Sequence, residues 1–215
     1  MPIIVQNCEG FLGNRMFLKY LAQAVKLAGR GIAPERIDRS LETWGMKMGP
    51  FRTMDLIGLD ILASGNKPAG LNLLEEFVSR GWKGRKSGVG WYRRDGTTGE
   101  MVANAAVSEL LPPVRDNHLS DDEIVDRCLL ALINEGAAAL GERVVQRSSD
   151  IDLCYVLGYG FPASKGGPMY QATKRGVAAT EFIIDQMGAE LDIEAPAKLL
   201  SHLAKNNMSF DTVTA

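Results

Sequence analysis

The chain has 215 residues, of which 46% are hydrophobic and 23% charged, with a formal net charge of -2. That balance allows a packed core and excludes general disorder. It also excludes a global field favouring nucleic acid or an anionic membrane, and basic residues gather only at Lys83, Arg85 and Lys86.

Ile3, Ile4 and Val5 predict a short extended segment. Gly10 and Gly13 lead into a long helix on which Phe17, Leu21, Ala24 and Ala28 share one face, with Leu18 and Val25 beside them. Gly29 and Gly31 end it. A second helix starts near Ala33 with Pro34 in its first turn, turns Ile37 and Leu41 inward and ends near Gly45. Gly49-Pro50 breaks the chain, and shorter helices follow over 51–63 and 71–80. The stretch 81–99 is rich in glycine and basic residues, carries the turn signal Asp95-Gly96, and predicts a small hairpin. Pro112-Pro113 marks a linker. Ser120 with Glu123 has the spacing of a capping box and opens another long amphipathic helix. Further helices are expected over 177–187 and 196–205. No run of about 18 apolar residues is present, so no membrane span is expected. The first ten residues do not have the pattern of a signal peptide, and the three spaced cysteines, Cys8, Cys128 and Cys154, fit a reducing, cytoplasmic setting.

The two halves resemble each other. A shift of 112 residues brings Arg15 onto Arg127, Leu18 onto Leu130, Leu21 onto Ile133 and Gly29 onto Gly141. After a two-residue insertion Ile37-Asp38 meets Ile151-Asp152, and later Gly49-Pro50 meets Gly167-Pro168. An ordered series in the same helical phase predicts duplication of one helical unit. By analogy with a dimer of identical chains, the two copies would pack as a pseudo-dimer.

Several segments carry a family resemblance. Glu9-Gly10-Phe11-Leu12-Gly13-Asn14-Arg15 resembles the GFxxNR signature that opens the C-terminal domain of 3-hydroxyacyl-CoA dehydrogenases, although many members have Pro at the position of Glu9. The segments from Ala33 to Arg39, Met48 to Phe51 and Asp55 to Asp60 follow in the family's order, and the one from Gly84 to Tyr92 looks like its closing GRKxGxGFY segment. In the second half, Gly158 to Pro162 and Gly166-Gly167-Pro168 resemble the matching part of multifunctional fatty-acid oxidation proteins. The resemblance implies an all-α fold: two tandem copies of the 6-phosphogluconate-dehydrogenase C-terminal-like helical domain, at 1–110 and 111–215, with a small β-hairpin between them.

The resemblance also implies a role for Asn14, as the asparagine that contacts the acyl-CoA substrate near its reacting carbonyl. An amide NH2 can donate to a 3-keto oxygen as charge builds there. Its spacing from Phe17 and Leu21 predicts that Asn14 shares the inward stripe; read without the family, it is a helix N-cap. The equivalent position in the second copy is Asp126, which cannot donate when ionised. No catalytic residue is expected in this chain. The family's catalytic groups and its NAD site belong to a dinucleotide-binding domain, and no GxGxxG follows a strand here. His118 and His202 lie outside the matching motifs.

Other features read as structural. The basic run at 83–86 lacks the GxxxxGK[ST] phosphate loop and predicts a tight turn. Asp121, Asp122 and Glu123 predict a helix N-terminus, and Met46 and Met48 predict core filling, not a metal site. The reading implied is a substrate-site-closing and dimerisation-like C-terminal region of an NAD-dependent 3-hydroxyacyl-CoA dehydrogenase in fatty-acid β-oxidation, inactive alone. Its partners would be acyl-CoA and a dinucleotide-binding domain in cis or trans. The alternative is a stand-alone helical assembly subunit that docks onto a separate dinucleotide-binding partner.

Overall fold

The computed structural model describes residues 3–114, 119–191 and 194–213. Its helices are α1 (Phe11–Ala28), α2 (Pro34–Trp44), α3 (Pro50–Ile57), α4 (Leu59–Ala63) and α5 (Leu73–Ser79), then α6 (Asp121–Gly141), α7 (Ser148–Gly158), α8 (Pro168–Arg175), α9 (Val177–Leu191) and α10 (Lys198–Lys205). Between α5 and α6 lie the antiparallel strands β1 (Tyr92–Arg94) and β2 (Met101–Ala103), with Arg93 opposite Val102. The fold is therefore all-α apart from one small hairpin. Two compact units are resolved: Leu21–Val125, and Met1–Tyr20 together with Asp126–Ala215.

In the unit Leu21–Val125, α2 and α3 pack together, as do α4 and α5. The core contains Leu21, Ala24, Ile37, Leu41, Phe51, Met54, Leu59, Leu74 and Phe77, and Trp91 closes on Phe51 and Phe77 at ring-centroid distances of 4.5 and 4.4 Å. Pro34 and Pro50 stand in the first turns of α2 and α3, where a missing N–H costs nothing. The first turn of α3 is satisfied by a side chain from another helix. Asp38 on α2 accepts from the backbone N–H of Phe51 at 2.8 Å and of Arg52 at 3.1 Å, and also from the Tyr92 hydroxyl at 2.7 Å. A Cβ at Gly49 would fall on the Asp38 carboxylate, which is why glycine precedes Pro50.

The hairpin depends on a second buried carboxylate. Asp55 on α3 accepts from the N–H of Trp91 at 3.0 Å and of Tyr92 at 2.8 Å. Cβ atoms at Gly84 and Gly90 would meet its backbone and its carboxylate. The glycines thus let the chain wrap Asp55 in a tight turn through the short 3-10 helix Arg85–Ser87. This corrects the extent of the expected hairpin. The stretch 81–90 is committed to the turn, and the ladder starts only at Tyr92 and reaches Ala103. Asp95 then caps the hairpin loop by accepting from Thr97 and Thr98 N–H at 2.9 and 2.8 Å.

In the other unit, Val5 bridges Val145, the short extended segment the sequence predicts. Helix α7 packs on α8 and α9 on α10. Asp152 on α7 accepts from the N–H of Met169 at 2.7 Å and of Tyr170 at 3.1 Å in the first turn of α8, and a Cβ at Gly167 would collide with it. The capping box at the start of α6 is present: Glu123 N–H donates to Ser120 Oγ at 3.2 Å and Ser120 N–H to Glu123 Oε2 at 2.7 Å.

Burial pushes Asp38 and Asp55 up to about 6 and Asp152 up to about 7, in each case against the backbone N–H groups that favour the charged form. A carboxylate raised on folding contributes stability that is full below its unfolded value near 3.8 and is lost as pH rises through the folded value. For Asp38 the window therefore runs from pH 4 to 6. Replacing it with Asn removes the titration, so the difference in thermal midpoint, wild type minus Asp38→Asn, should fall between pH 4 and pH 6.5, on the order of 2–3 kcal/mol in stability. Calorimetric unfolding across that range measures it; a difference that grows with pH contradicts the assignment.

Candidate functional site

Asn14 lies in the second turn of α1, three residues inside its start, so it is not the helix N-cap. Nor does it share the inward stripe. The first half of α1 buries Leu12, Gly13, Met16 and Tyr20, whereas Asn14 is exposed and Phe17 half-buried. Only from Leu21 onward is the helix buried on nearly all sides, with Lys26 half-buried. The expectation of an inward Asn14 extended the phase of 21–28 into a segment that buries a different face. An exposed amide at the edge of a buried helix face is open to a ligand, and its Oδ1 already accepts from the Tyr159 hydroxyl at 2.7 Å. Tyr159, which directly follows α7, is the residue beside Asn14 that sequence reasoning passed over. It stands inside the quoted Gly158 to Pro162 segment, but nothing in that segment states that it meets α1.

The neighbouring Arg15 is built into the fold. Its Nε donates to Glu135 at 2.5 Å and its two terminal nitrogens to Glu142 at 2.6 and 2.9 Å, a bidentate pairing of α1 with the residues at the end of α6. These carboxylates raise the Arg15 guanidinium above its ordinary range, the largest cause being the Glu142 hydrogen bonds, and Arg15 in turn holds Glu142 below the usual carboxylate value. Lys19, one turn along, pairs with Glu194 and lies 3.9 Å from Glu135. The cations beside Asn14 are therefore committed to protein carboxylates and are not left to attract phosphate.

The other singled-out residues are scattered. Asp126, which the 112-residue sequence shift sets against Asn14, is ion-paired with Arg175. Asp121, Asp122 and Glu123 form the first turn of α6, as expected. Met46 is buried and Met48 half-buried. Lys83, Arg85 and Lys86 are exposed on the turn around Asp55, and Lys86 pairs with Asp60. Cys154 is half-buried and burial raises its thiol. His202 lies in α10 near Asn206, and His118 lies outside the described residues. Among the described residues no group of three or more His, Cys, Asp or Glu side chains could hold a metal ion, and no helix is long and apolar enough to cross a membrane.

The glycine-rich turn at 84–90 does not fit a dinucleotide. It is occupied by the Asp55 carboxylate, an anion where a pyrophosphate would have to approach. The neighbourhood of Asn14 offers an amide donor and aromatic walls, and no dinucleotide cradle. Removing the Arg15 side chain leaves Glu135, whose side chain is only 9% exposed, without its main partner. Arg15→Ala should therefore destabilise the chain by about 2–4 kcal/mol in urea unfolding, while Glu142→Ala, at the exposed end, should cost under about 1 kcal/mol. Equal costs would contradict this division.

Comparison with known proteins places this geometry. Residues 10–94 match the family described as 3-hydroxyacyl-CoA dehydrogenase, C-terminal domain. The chain is 39% identical to the peroxisomal bifunctional enzyme of Homo sapiens over 202 residues, covering 81% of this chain and 28% of that protein. It is 29% identical to the fatty acid oxidation complex subunit alpha of Idiomarina loihiensis, covering 97% of this chain and 31% of that protein. The chain thus spans under a third of the length of these relatives. In structure it is similar to the dehydrogenase part of multifunctional enzyme 1 from C. elegans, with a TM-score of 0.72, 26% identity and coverage of 94% of this chain and 49% of that one. Residues 10–94 thus match the 3-hydroxyacyl-CoA dehydrogenase C-terminal domain, and the chain as a whole is similar to the C-terminal part of the multifunctional proteins that carry it.

Proposed function

We propose that these 215 residues form the substrate-side, C-terminal part of an NAD-dependent 3-hydroxyacyl-CoA dehydrogenase of fatty-acid β-oxidation. The observation that carries the reading is Asn14: an exposed amide in the GFxxNR segment, held by its oxygen, with its NH2 available to an oxygen of the substrate. In the assembled enzyme, oxidation of the 3-hydroxyl to a ketone would take place beside that NH2, which donates to the 3-oxygen and fixes the acyl chain's orientation. NAD supplies the hydride acceptor when bound, and it would be held by a dinucleotide-binding domain joined in cis or in trans.

The proposal includes a duplication, with one copy at 1–110 and a second, degenerate one at 111–215. Its support is local geometry that repeats. Asp38 and Asp152 each sit on an 11-residue helix, cap the first turn of an 8-residue helix that begins with proline, and face a glycine that leaves room for the carboxylate. Gly58 and Gly176 then join that helix to the next with φ of 109° and 98°. The copies differ where chemistry is expected, because Asp126 replaces Asn14 and is neutralised by Arg175. The reaction class follows the relatives, and the compartment would follow the parent protein, whether peroxisomal or cytoplasmic.

The test is turnover. With NAD and a 3-hydroxyacyl-CoA, the purified 215-residue chain should form no NADH above the blank, and addition of the dinucleotide-binding portion of a relative, fused or in trans, should produce it. Clear NADH formation by the chain alone would overturn the proposal.

A further inference from the structure

We propose that Tyr159 is a positioning residue for Asn14, and that its hydroxyl decides which edge of the Asn14 amide is presented to a ligand. The inference rests on the reading that Asn14 meets the substrate oxygen, and it adds how that amide is held ready.

An asparagine amide can rotate so that either its oxygen or its nitrogen faces outward, and the two ends have opposite hydrogen-bonding character. Here the ends are made unequal. The Tyr159 phenol donates to Asn14 Oδ1 at 2.7 Å, and the two residues are 145 apart in sequence. Among the described residues no protein acceptor meets the Asn14 Nδ2, so the donor end is the one left at the exposed side. Burial, with the nearby Cys154, pushes the Tyr159 phenol up to about 12. The hydroxyl therefore keeps its proton throughout the neutral range and remains a donor, which an ionised phenolate could not be.

The phenol is held in its place by three contacts. Its ring stacks on Tyr155 at 4.9 Å between centroids and lies against Phe17 at 5.4 Å. It crosses α1 at Gly13, where a Cβ would overlap the ring, so the glycine opens the path by which the hydroxyl reaches the next residue. Tyr155, fully buried, donates to the Gly13 carbonyl at 2.9 Å and fixes the stack to the helix. Gly13, Phe17, Tyr155 and Tyr159 thus form one device whose output is the orientation of a single amide. Such an arrangement matches an oxygen ligand, a ketone or hydroxyl, and disfavours a group that must itself donate. It removes, before binding, the side-chain freedom that a ligand would otherwise have to restrict.

The test reads the amide directly. In the 15N-labelled 215-residue chain, the side-chain NH2 signal of Asn14 is assigned by its loss in Asn14→Ala. Its order parameter should be high, near the value of rigid backbone at about 0.85, and should drop below about 0.6 in Tyr159→Phe, which keeps the ring and removes one oxygen. Gly13→Ala, which displaces the ring from the helix, should release the amide in the same way and keeps the test decisive if the first variant folds poorly. An Asn14 signal that is mobile in the wild type, or equally rigid in both variants, overturns the inference. Failure of the substrate reading is separable: if the assembled dehydrogenase turns over equally well with Asn14→Ala, that reading falls, while an amide freed by Tyr159→Phe still establishes the clamp.

Discussion

Asp38, buried, and Asp152, half-buried, each lie on one helix and reach the first turn of the next, and the arrangement of the helices depends on that contact. A helix N-terminus leaves backbone N–H groups without partners. Here a carboxylate from an earlier helix accepts two of them, which fixes the angle at which the chain turns from α2 to α3 and from α7 to α8. The contact is costly, since burial disfavours the charge, and the N–H donors offset only part of that cost. Gly49 and Gly167 exist because no side chain fits beneath the carboxylates. Asp55 does the same for the hairpin.

The family signature at the start of α1 divides between two tasks in adjacent residues. Arg15 is a structural tie to Glu135 and Glu142, whereas Asn14 stands at the exposed edge with its oxygen engaged. The segment after α7 contributes Tyr159 to that edge, so a residue from the second half of the sequence completes a feature of the first. Asp126, by contrast, is paired with Arg175.

Much of the fold was legible in the sequence. The prolines at 34 and 50, the capping box at Ser120 and Glu123, and the glycine stops are local signals, and local signals survive folding unchanged. What could not be read were contacts between distant positions. Nothing near Asp38 announces that it will cap a turn 13 residues later, and nothing near Asp55 announces that the glycines at 84 and 90 are spaced to wrap it. That is why the hairpin was expected too early. Family likeness singles out Asn14, and periodicity misplaces its side chain, because the buried face of α1 differs between its halves. Tyr159 had no signal of its own, since its meaning lies in a hydroxyl that reaches across 145 residues.

The role proposed for Asn14 is contact with substrate, a role not proposed for Asp126. The direct measurement is kcat/KM for 3-hydroxyacyl-CoA oxidation in the chain assembled with a dinucleotide-binding domain, compared for Asn14→Ala and Asp126→Ala. The expected loss is about 10²-fold or more for Asn14→Ala, the scale of removing one donor from a developing oxyanion, and less than about 3-fold for Asp126→Ala, an exposed ion pair. Equal losses, or an unimpaired Asn14→Ala, would contradict it.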